Sequence, residues 1–423
     1  MTHFDLPAND VDDRKADGSG AWDASSLPTE ASQNTGVSFH AIGTRAVLFD
    51  SRRQRLYVIN RSAGFMWCCL AEGYSPAQTA KAFALRSGCP LQDVQRQLAG
   101  VIEAWREIGV LARKRAEPRS PTFLRALGRY TGRQKQSIDD CATDKELRYR
   151  LLDTTVRIVF RDKRILQFVK PALDTLAADP ATASAEQIEV VRAGRDRIAL
   201  IHRDSIRWTG PRAYLVSALY ATLVRIALEC STSFPAIHAG AVRGTQGVVL
   251  IAGPSGCGKS TIASALLASR CRVLCDDTIV LDMGSMRVRP VSSLLCLKSG
   301  AWPVVDARLP RLRRQPGYQR PDGKLVRFLP LDGRPATVAA NQRQGYPVQA
   351  IVFPRYRPGQ PTSLIQLDRT AALNRLCPCV DPIGHRFRGD DIERLIRWVG
   401  DTDCYRLNVD SLDDAVSSIT NLL

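Results

Sequence analysis

The chain has 423 residues, of which 44% are hydrophobic and 24% charged, as is ordinary for a globular protein of two or three domains. Arginine supplies most of the net charge of +17, which permits anionic partners such as a nucleotide, an acidic peptide or nucleic acid. No uninterrupted apolar run reaches the roughly 20 residues that span a bilayer, so no membrane partner is expected.

The N-terminal residues 1–36 are rich in Asp, Ser, Gly, Ala and Pro, which predicts a disordered tail. This segment does not have the pattern of a signal peptide. The chain also holds twelve cysteines and no C-x-x-C pair. Together these features predict reduced thiols, a cytoplasmic location and no zinc site.

Residues 37–113 form the first predicted domain, in which two strands precede three helices. The predicted elements are the strands Arg45–Asp50 and Arg55–Ile59, a helix capped by Asn60, a helix that begins at Ser75-Pro76, and a helix over Leu91–Ile108.

This order of elements resembles the PqqD-like fold, an α+β winged-helix module that recognises the leader of ribosomally made peptides. The resemblance rests on the run Leu56 to Asn60, Trp67, Gly73 and the closing Gly109-Val110-Leu111. It implies that a leader peptide adds a strand to the sheet edge and lies against the third helix. The implied contact residues are Leu56, Tyr57, Val58, Gln97 and Val101. A winged helix that binds DNA or only packs is the alternative, and the third helix lacks a concentrated base-reading surface.

The polar and basic residues 114–145 predict a linker. Residues 146–235 are predicted to be the N-terminal part of a larger domain, with strands at Val156–Phe160 and Arg197–Ile201. A helix is predicted over residues 213–230, where Arg225 and Glu229 favour a packed helix over a membrane span. Alternating strands and helices fill residues 236–423.

A phosphate-loop motif, G-x-x-x-x-G-K-[ST], occupies residues 253–260 between an apolar strand at Val248–Ala252 and a helix over residues 261–268. Such loops turn backbone N–H groups onto phosphates at a helix N-terminus, so the motif predicts a bound nucleoside triphosphate. The predicted nucleotide-binding residues are Gly253, Pro254, Ser255, Gly256, Cys257, Gly258, Lys259, Ser260 and Thr261.

Two acidic residues, Asp276 and Asp277, end the next apolar strand. One would hold Mg²⁺ and the second would act as a general base on a hydroxyl. A strand at Ala236–Val242 precedes the loop strand, and pairing of the two as a hairpin predicts that His238 lies opposite Ile251. A histidine there would polarise a phosphate or assist the base, although a lone histidine is more often a core residue.

The ordered set of His238, the loop 253–260 and the paired aspartates resembles the HPr kinase/phosphorylase family over roughly residues 147–423. The resemblance implies an α/β P-loop kinase domain that uses ATP and Mg²⁺. By position, Lys259, His238 and Asp277 become catalytic residues, with Asp277 as the base, and Ser260 and Asp276 become metal ligands. The family places a further glutamate ligand downstream, where residues 294–302 hold no acid and instead offer Lys298, a candidate phosphate or acceptor contact.

The leading expectation is an ATP-dependent Ser/Thr kinase of a ribosomally made precursor peptide, whose leader is held by the first domain. Leader binding would raise the local concentration of the acceptor to roughly the millimolar range. The alternatives are a small-molecule or sugar kinase that the first domain regulates, and a nucleotide-gated peptide chaperone without phosphate transfer. Other peptide-maturation enzymes and further copies of the chain remain open as partners, and nucleic acid is not expected.

Overall fold

The computed structural model describes residues 36–42, 45–111, 145–331 and 344–423. The predicted tail and linker, residues 1–36 and 114–145, lie outside the described residues except for Gly36 and Lys145. The chain divides into two compact units. Unit 1 comprises Met1–Ser120 with Phe387–Glu393, and unit 2 comprises Pro121–Arg386 with Arg394–Leu423.

Between residues 36 and 111, the described part of unit 1 contains one three-stranded antiparallel sheet and three helices. Its elements are β1 Val37–Ile42, β2 Arg45–Asp50, β3 Arg55–Ile59, α1 Arg61–Ala71, α2 Pro76–Ser87 and α3 Leu91–Glu107. The strand order is β1-β2-β3, so β3 has no neighbour on its outer edge among the described residues. The sequence reasoning missed β1, although the alternation of Val37, Phe39 and Ala41 is a period-two signal for it.

Local sequence explains where the helices of unit 1 begin. The Asn60 side chain accepts a hydrogen bond from the Ala63 backbone N–H at 2.8 Å, which caps α1. Ser75 and Gln78 form a reciprocal capping box at the start of α2. Inside the unit, Trp67 of α1 and Trp105 of α3 meet edge to face with ring centroids 5.3 Å apart. The caps and the amphipathic pattern therefore predicted this unit well.

Unit 2 begins with a five-stranded sheet in the order β4-β5-β6-β7-β8. Its elements are β4 Lys145–Leu151, β5 Thr154–Phe160, α4 Lys163–Leu173, β6 Glu186–Arg192, β7 Arg197–His202, β8 Ser205–Pro211 and α5 Leu215–Cys230. Helices α4 and α5 share one buried apolar core with this sheet. The stretch Arg212–Cys230 is long and apolar enough to span a membrane. However, 56% of its most apolar 18-residue segment is buried inside the fold, and the core helix of a globular protein has the same length and composition.

The rest of unit 2 carries a larger mixed sheet, in which nine strands are described. Its elements are β9 Ala236–Arg243, β10 Val248–Ala252, α6 Lys259–Ala268, β11 Val273–Cys275, β12 Thr278–Asp282, β13 Arg287–Pro290, β17 Val348–Tyr356, β18 Ser363–Gln366, α9 Arg369–Leu376, β19 Val380–Asp381, α10 Gly389–Asp401, β20 Asp403–Val409 and α11 Leu412–Thr420. The first residues of α10, as far as Glu393, belong to unit 1. The order is β13-β12-β9-β10-β17-β20-β18, and β11 and β19 also pair with β9. Strands β10, β17 and β20 are parallel neighbours.

A third, small antiparallel sheet lies between these elements in the chain, in the order β14-β16-β15. It consists of β14 Leu294–Lys298, β15 Tyr318–Gln319 and β16 Leu325–Pro330, with the short helices α7 Trp302–Val305 and α8 Pro310–Arg313 between them. Helices α6 and α11 pack on one face of the large sheet around a shared core that includes Ile251, Ile262 and Leu407. The protein is thus a mixed α/β protein with several sheets.

Candidate functional site

Residues 253–260, called the P-loop here for their sequence, connect the buried strand β10 to helix α6. The predicted strand and helix are both present, and the helix begins two residues earlier than predicted, at Lys259. Gly256 and Gly258 have φ values of +95° and +99°. Because side chains with a Cβ rarely adopt this left-handed region, the conformation of this loop favours glycine at both positions, although only Gly258 is fixed by the motif.

Lys259 lies inside the loop and is only 5% exposed. Its ammonium donates hydrogen bonds to the carbonyl oxygens of Gly253 at 2.7 Å and Pro254 at 3.1 Å. A buried ammonium needs such acceptors to offset its lost hydration. The loop therefore holds a positive charge beside its own backbone.

The pairing of β9 with β10 corrects one prediction. Ile251 lies opposite Gly240, not opposite His238, and Ala252 lies opposite Ala239. The Gly253 N–H donates to the His238 carbonyl at 3.3 Å, so His238 is level with the first residue of the P-loop. The physical reason is the turn, which closes by a Gly244 N–H to Gly247 carbonyl bond and is centred one residue later than predicted.

His238 also lies where the neighbours of β9 change. On one side of β9, β10 ends at Ala252, and β19 pairs with the first residues of β9, with Val380 opposite Ile237. On the other side Thr278 of β12 pairs with His238 itself. The P-loop thus leaves the sheet at this gap, and the exposed His238 lies at its rim.

Asp276 and Asp277 interrupt the line of strands that pairs with β9. The residues before them form β11, those after them form β12, and both strands pair with β9. Gly240 allows the close approach, because a Cβ there would meet the Cys275 carbonyl oxygen at 3.2 Å and the Asp276 Cα at 3.3 Å. The predicted pair of carboxylates therefore lies in a break between β11 and β12, with β9 between this break and the P-loop strand β10.

The two aspartates differ in environment. Asp276 is 1% exposed and Asp277 is exposed. Burial and the nearby charge of Asp277 raise the pKa of Asp276 to about 7, against the opposing effects of the Ser260 hydroxyl, the Cys296 N–H and the Lys259 ammonium. Asp277 accepts a hydrogen bond from the Thr278 hydroxyl at 3.2 Å. One carboxylate is thus enclosed and the other is open to a ligand.

Strand β14 occupies the place where the resemblance implies a glutamate. The Cys296 N–H donates to Asp276 Oδ2 at 3.2 Å, and the Lys298 ammonium donates to Ser255 Oγ in the P-loop at 2.8 Å. The segment therefore supplies one backbone donor and one cation in place of an acid. The sequence identified Lys298, but the contribution of Cys296 comes from the backbone and has no signature in residue type.

The donor set suits a Mg²⁺ site that water and substrate phosphates complete, rather than a site in which protein side chains supply every ligand. No group of three or more His, Cys, Asp or Glu side chains with metal-site geometry occurs in the described ranges. Mg²⁺ usually keeps several waters and takes one or two protein oxygens together with substrate phosphates. The Ser260 hydroxyl beside the buried Asp276 carboxylate offers that number of oxygens. The predicted metal residues Ser260 and Asp276 are therefore adjacent.

The predicted leader-binding residues fall on two elements of unit 1. Leu56, Tyr57 and Val58 lie on β3, one of the two edge strands of the described sheet, and all three are half-buried. The Tyr57 hydroxyl is buried and has no hydrogen-bond partner among the described residues. Gln97 is exposed and Val101 is half-buried, and these two residues lie one helical turn apart on α3.

The fold and the site together define a mixed α/β protein that carries a G-x-x-x-x-G-K-S loop next to a buried and an exposed carboxylate. No protein-family model matches the chain, and a search of curated proteins also returns no match.

Proposed function

We propose that this protein is an ATP-dependent kinase that phosphorylates a Ser or Thr hydroxyl of a ribosomally made precursor peptide. The observation that carries the proposal is the proximity of the P-loop residues Lys259 and Ser260 to the enclosed Asp276, with the exposed Asp277 next in the chain. These parts match the division of labour in phosphoryl transfer, where positioning and charge stabilisation supply most of the catalysis.

In this proposal the P-loop N–H groups and Lys259 hold the phosphates. The acceptor oxygen forms a bond to the terminal phosphorus as the bond to the ADP oxygen breaks, and the hydroxyl proton passes to Asp277. Asp277 suits this role because it is exposed and its neighbour Asp276 is not. His238, at the rim of the P-loop, would orient the reacting group.

Magnesium would be held by Ser260 and Asp276, where it would neutralise charge on the phosphates. Around it, the chain's own residues have separate tasks. The Cys296 N–H orients the Asp276 carboxylate, and Lys298 holds Ser255 of the P-loop. Both contacts come from β14. This strand would therefore position Asp276 and the P-loop, where the glutamate of the resembling family would bind the metal ion directly.

Unit 1 supports the peptide as the acceptor. Within the described part of the chain its strand β3 lies at the edge of the sheet, and an open sheet edge is the surface that β-augmentation requires. A leader held there as an added strand would leave the core of the peptide tethered to the same chain as the kinase site. Tethering lets a weakly bound acceptor react at a high effective concentration.

The test is phosphate transfer by the full-length protein, with Mg²⁺, ATP and a short peptide encoded beside its gene. The expected product carries one added phosphate by mass spectrometry, located on Ser or Thr by fragmentation. Asp277→Asn should abolish the product while ATP still binds, and Asp401→Asn, an exposed helix-end change, should leave it unchanged.

Two results would reject the proposal. Turnover of a small hydroxyl compound without any peptide would indicate a small-molecule kinase. Binding of both ATP and the peptide without transfer, and with no effect of Asp277→Asn on function, would indicate a nucleotide-gated chaperone.

A further inference from the structure

Three arginines of unit 2 come together on the large sheet beside the P-loop strand. Arg406 lies on β20 opposite Phe353 of β17, and Arg355 lies two residues further along β17. Arg375 lies in the last turn of α9, a helix that contacts β20. These three residues, called the arginine cluster here, come from three different elements.

The sheet register places the arginine cluster on one face. Val352 and Leu407 belong to the apolar core under α6, and side chains alternate along a strand. Phe353 and Arg406 therefore project from the opposite face, where α9 packs. Arg355 projects from that same face because it is two residues beyond Phe353.

The cluster has no counter-charge among the described residues. None of the three guanidinium groups has a carboxylate within 4.0 Å in the described part of the chain. The Nε of Arg406 is buried and has no hydrogen-bond partner there. Burial and then the positive charges of Arg406 and Arg355 lower the pKa of Arg375. Arg375 and Arg406 are half-buried and Arg355 is exposed, so three positive charges repel one another at the edge of a partly enclosed place.

Such an arrangement is costly in the free protein. Half-buried guanidinium groups such as those of Arg375 and Arg406 lose part of their hydration, and a charge that gains no partner in return is destabilising. A bound oxyanion would supply the missing acceptors, and the planar fork of an arginine matches phosphate oxygens in a bidentate way. The cluster therefore has the properties of a site that an anion completes.

The cluster lies close to the P-loop. The Cys379 thiol donates to the Arg375 carbonyl at 3.5 Å, and burial raises the pKa of that thiol while the positive charge of Lys259 lowers it. Ile251, which leads into the P-loop, pairs with Val352, one residue before the partner of Arg406. With a strand spacing of about 4.8 Å, Arg406 is two strands, or roughly 10 Å, from β10.

From this geometry we infer that Arg355, Arg375 and Arg406 form a second anion site that binds a phosphate group next to the P-loop. It lies toward the carboxyl ends of three parallel strands, where open α/β sheets bind their ligands. The phosphate group belongs either to the nucleotide or to a free phosphate. If it belongs to the nucleotide, the inference rests on the proposed nucleotide site; a free phosphate does not require that site.

The experiment uses the full-length protein and three probes: inorganic phosphate, ADP, and a non-hydrolysable ATP analogue. Affinities come from calorimetry at constant ionic strength, and thermal midpoints are measured with and without each probe. The variants are Arg406→Gln and Arg375→Gln, which keep the length of the side chain and remove its charge. The matched control is Arg313→Gln, an exposed arginine of α8.

Either cluster variant should weaken phosphate-group binding by about tenfold or more, because a hydrogen bond to a charged group is lost. The same variants should raise the thermal midpoint of the ligand-free protein, since repulsion is relieved. A merely structural arginine would lower that midpoint. Arg313→Gln should change neither quantity.

The probes distinguish the two sources of the phosphate. If the cluster variants lose inorganic-phosphate binding, and lose it in a Lys259→Ala background as well, the cluster binds a free phosphate. Loss confined to the ATP analogue, with ADP unaffected, assigns it to the terminal phosphate of the nucleotide. Wild-type affinities of Arg406→Gln and Arg375→Gln for all three probes would overturn the inference, and they would leave the test of the proposed kinase activity intact.

Discussion

The ammonium of Lys298 donates a hydrogen bond to Ser255 Oγ at 2.8 Å, and this contact joins β14 to the P-loop. Lys298 thereby holds a loop whose conformation otherwise depends on glycine. This hydrogen bond is exposed to solvent, so a ligand bound at the P-loop can reach the Lys298 ammonium.

Lys298→Met tests this contact. We expect ATP affinity to fall by about tenfold, because a charge-assisted hydrogen bond that positions the loop is removed. Ser255→Ala should have a smaller effect, and the double variant should bind no more weakly than Lys298→Met alone, since the two residues act as a pair. Additive losses in binding measurements would show that Lys298 acts independently of Ser255.

The raised pKa of Asp276 predicts how the free energy of unfolding depends on pH. Its pKa is about 7 in the folded protein and 3.8 ordinarily, so between these values the folded state keeps a proton that the unfolded chain releases. Its contribution to stability is therefore complete below about pH 4 and is lost as pH rises through about 7. Asp276→Asn stays neutral throughout, so without nucleotide and metal it should be more stable than the wild type above pH 7.

The difference in free energy of unfolding should grow from near zero at about pH 4 to about 4 kcal/mol above about pH 7. Denaturant unfolding of both proteins across that range measures it. Asp401→Asn is the matched control, because that side chain is exposed and is not among the groups that shift the pKa of Asp276. Parallel stability curves for Asp276→Asn and the wild type would contradict the prediction.

Gly240 sets the position of Asp276 through backbone contact. In Gly240→Ala the new methyl would lie 3.2 Å from the Cys275 carbonyl oxygen and 3.3 Å from the Asp276 Cα, so the strand carrying the carboxylates must shift. We expect a loss of about 1–3 kcal/mol in the free energy of unfolding, with weaker Mg²⁺-dependent nucleotide binding. Gly300→Ala is the control, because a Cβ there meets nothing within 4 Å, and equal behaviour of the two variants would refute the argument.

Tyr57 predicts a trade-off between stability and peptide binding. Its buried hydroxyl has no hydrogen-bond partner among the described residues, so Tyr57→Phe should leave the stability unchanged or raise it by about 1 kcal/mol. If the hydroxyl bonds a peptide added along β3, leader affinity should fall in the same variant. Tyr74→Phe, at a side chain that is 46% exposed, should change neither quantity. Lower stability of Tyr57→Phe would show that the hydroxyl already has a partner.

Short-range signals in the sequence predicted the local elements near the site. The helix caps at Asn60 and Ser75 appear as expected, because a cap is a contact between residues three apart. The strand and helix on either side of the P-loop also appear. The register of β9 against β10 was wrong by two residues, because the position of a turn shifts every pair in a hairpin.

The residues of the P-loop, the order of His238 before it and the two aspartates after it were determined by the sequence alone, since a motif and its spacing are local properties. Only the tertiary structure decided which aspartate is buried, because burial of Asp276 results from packing of β9, β14 and α6. The same holds for the arginine cluster, where β17, α9 and β20 bring together three residues that are 20 or more positions apart in the chain. Side-chain charge is given by residue type, but the cost of that charge depends on the neighbours that the fold supplies.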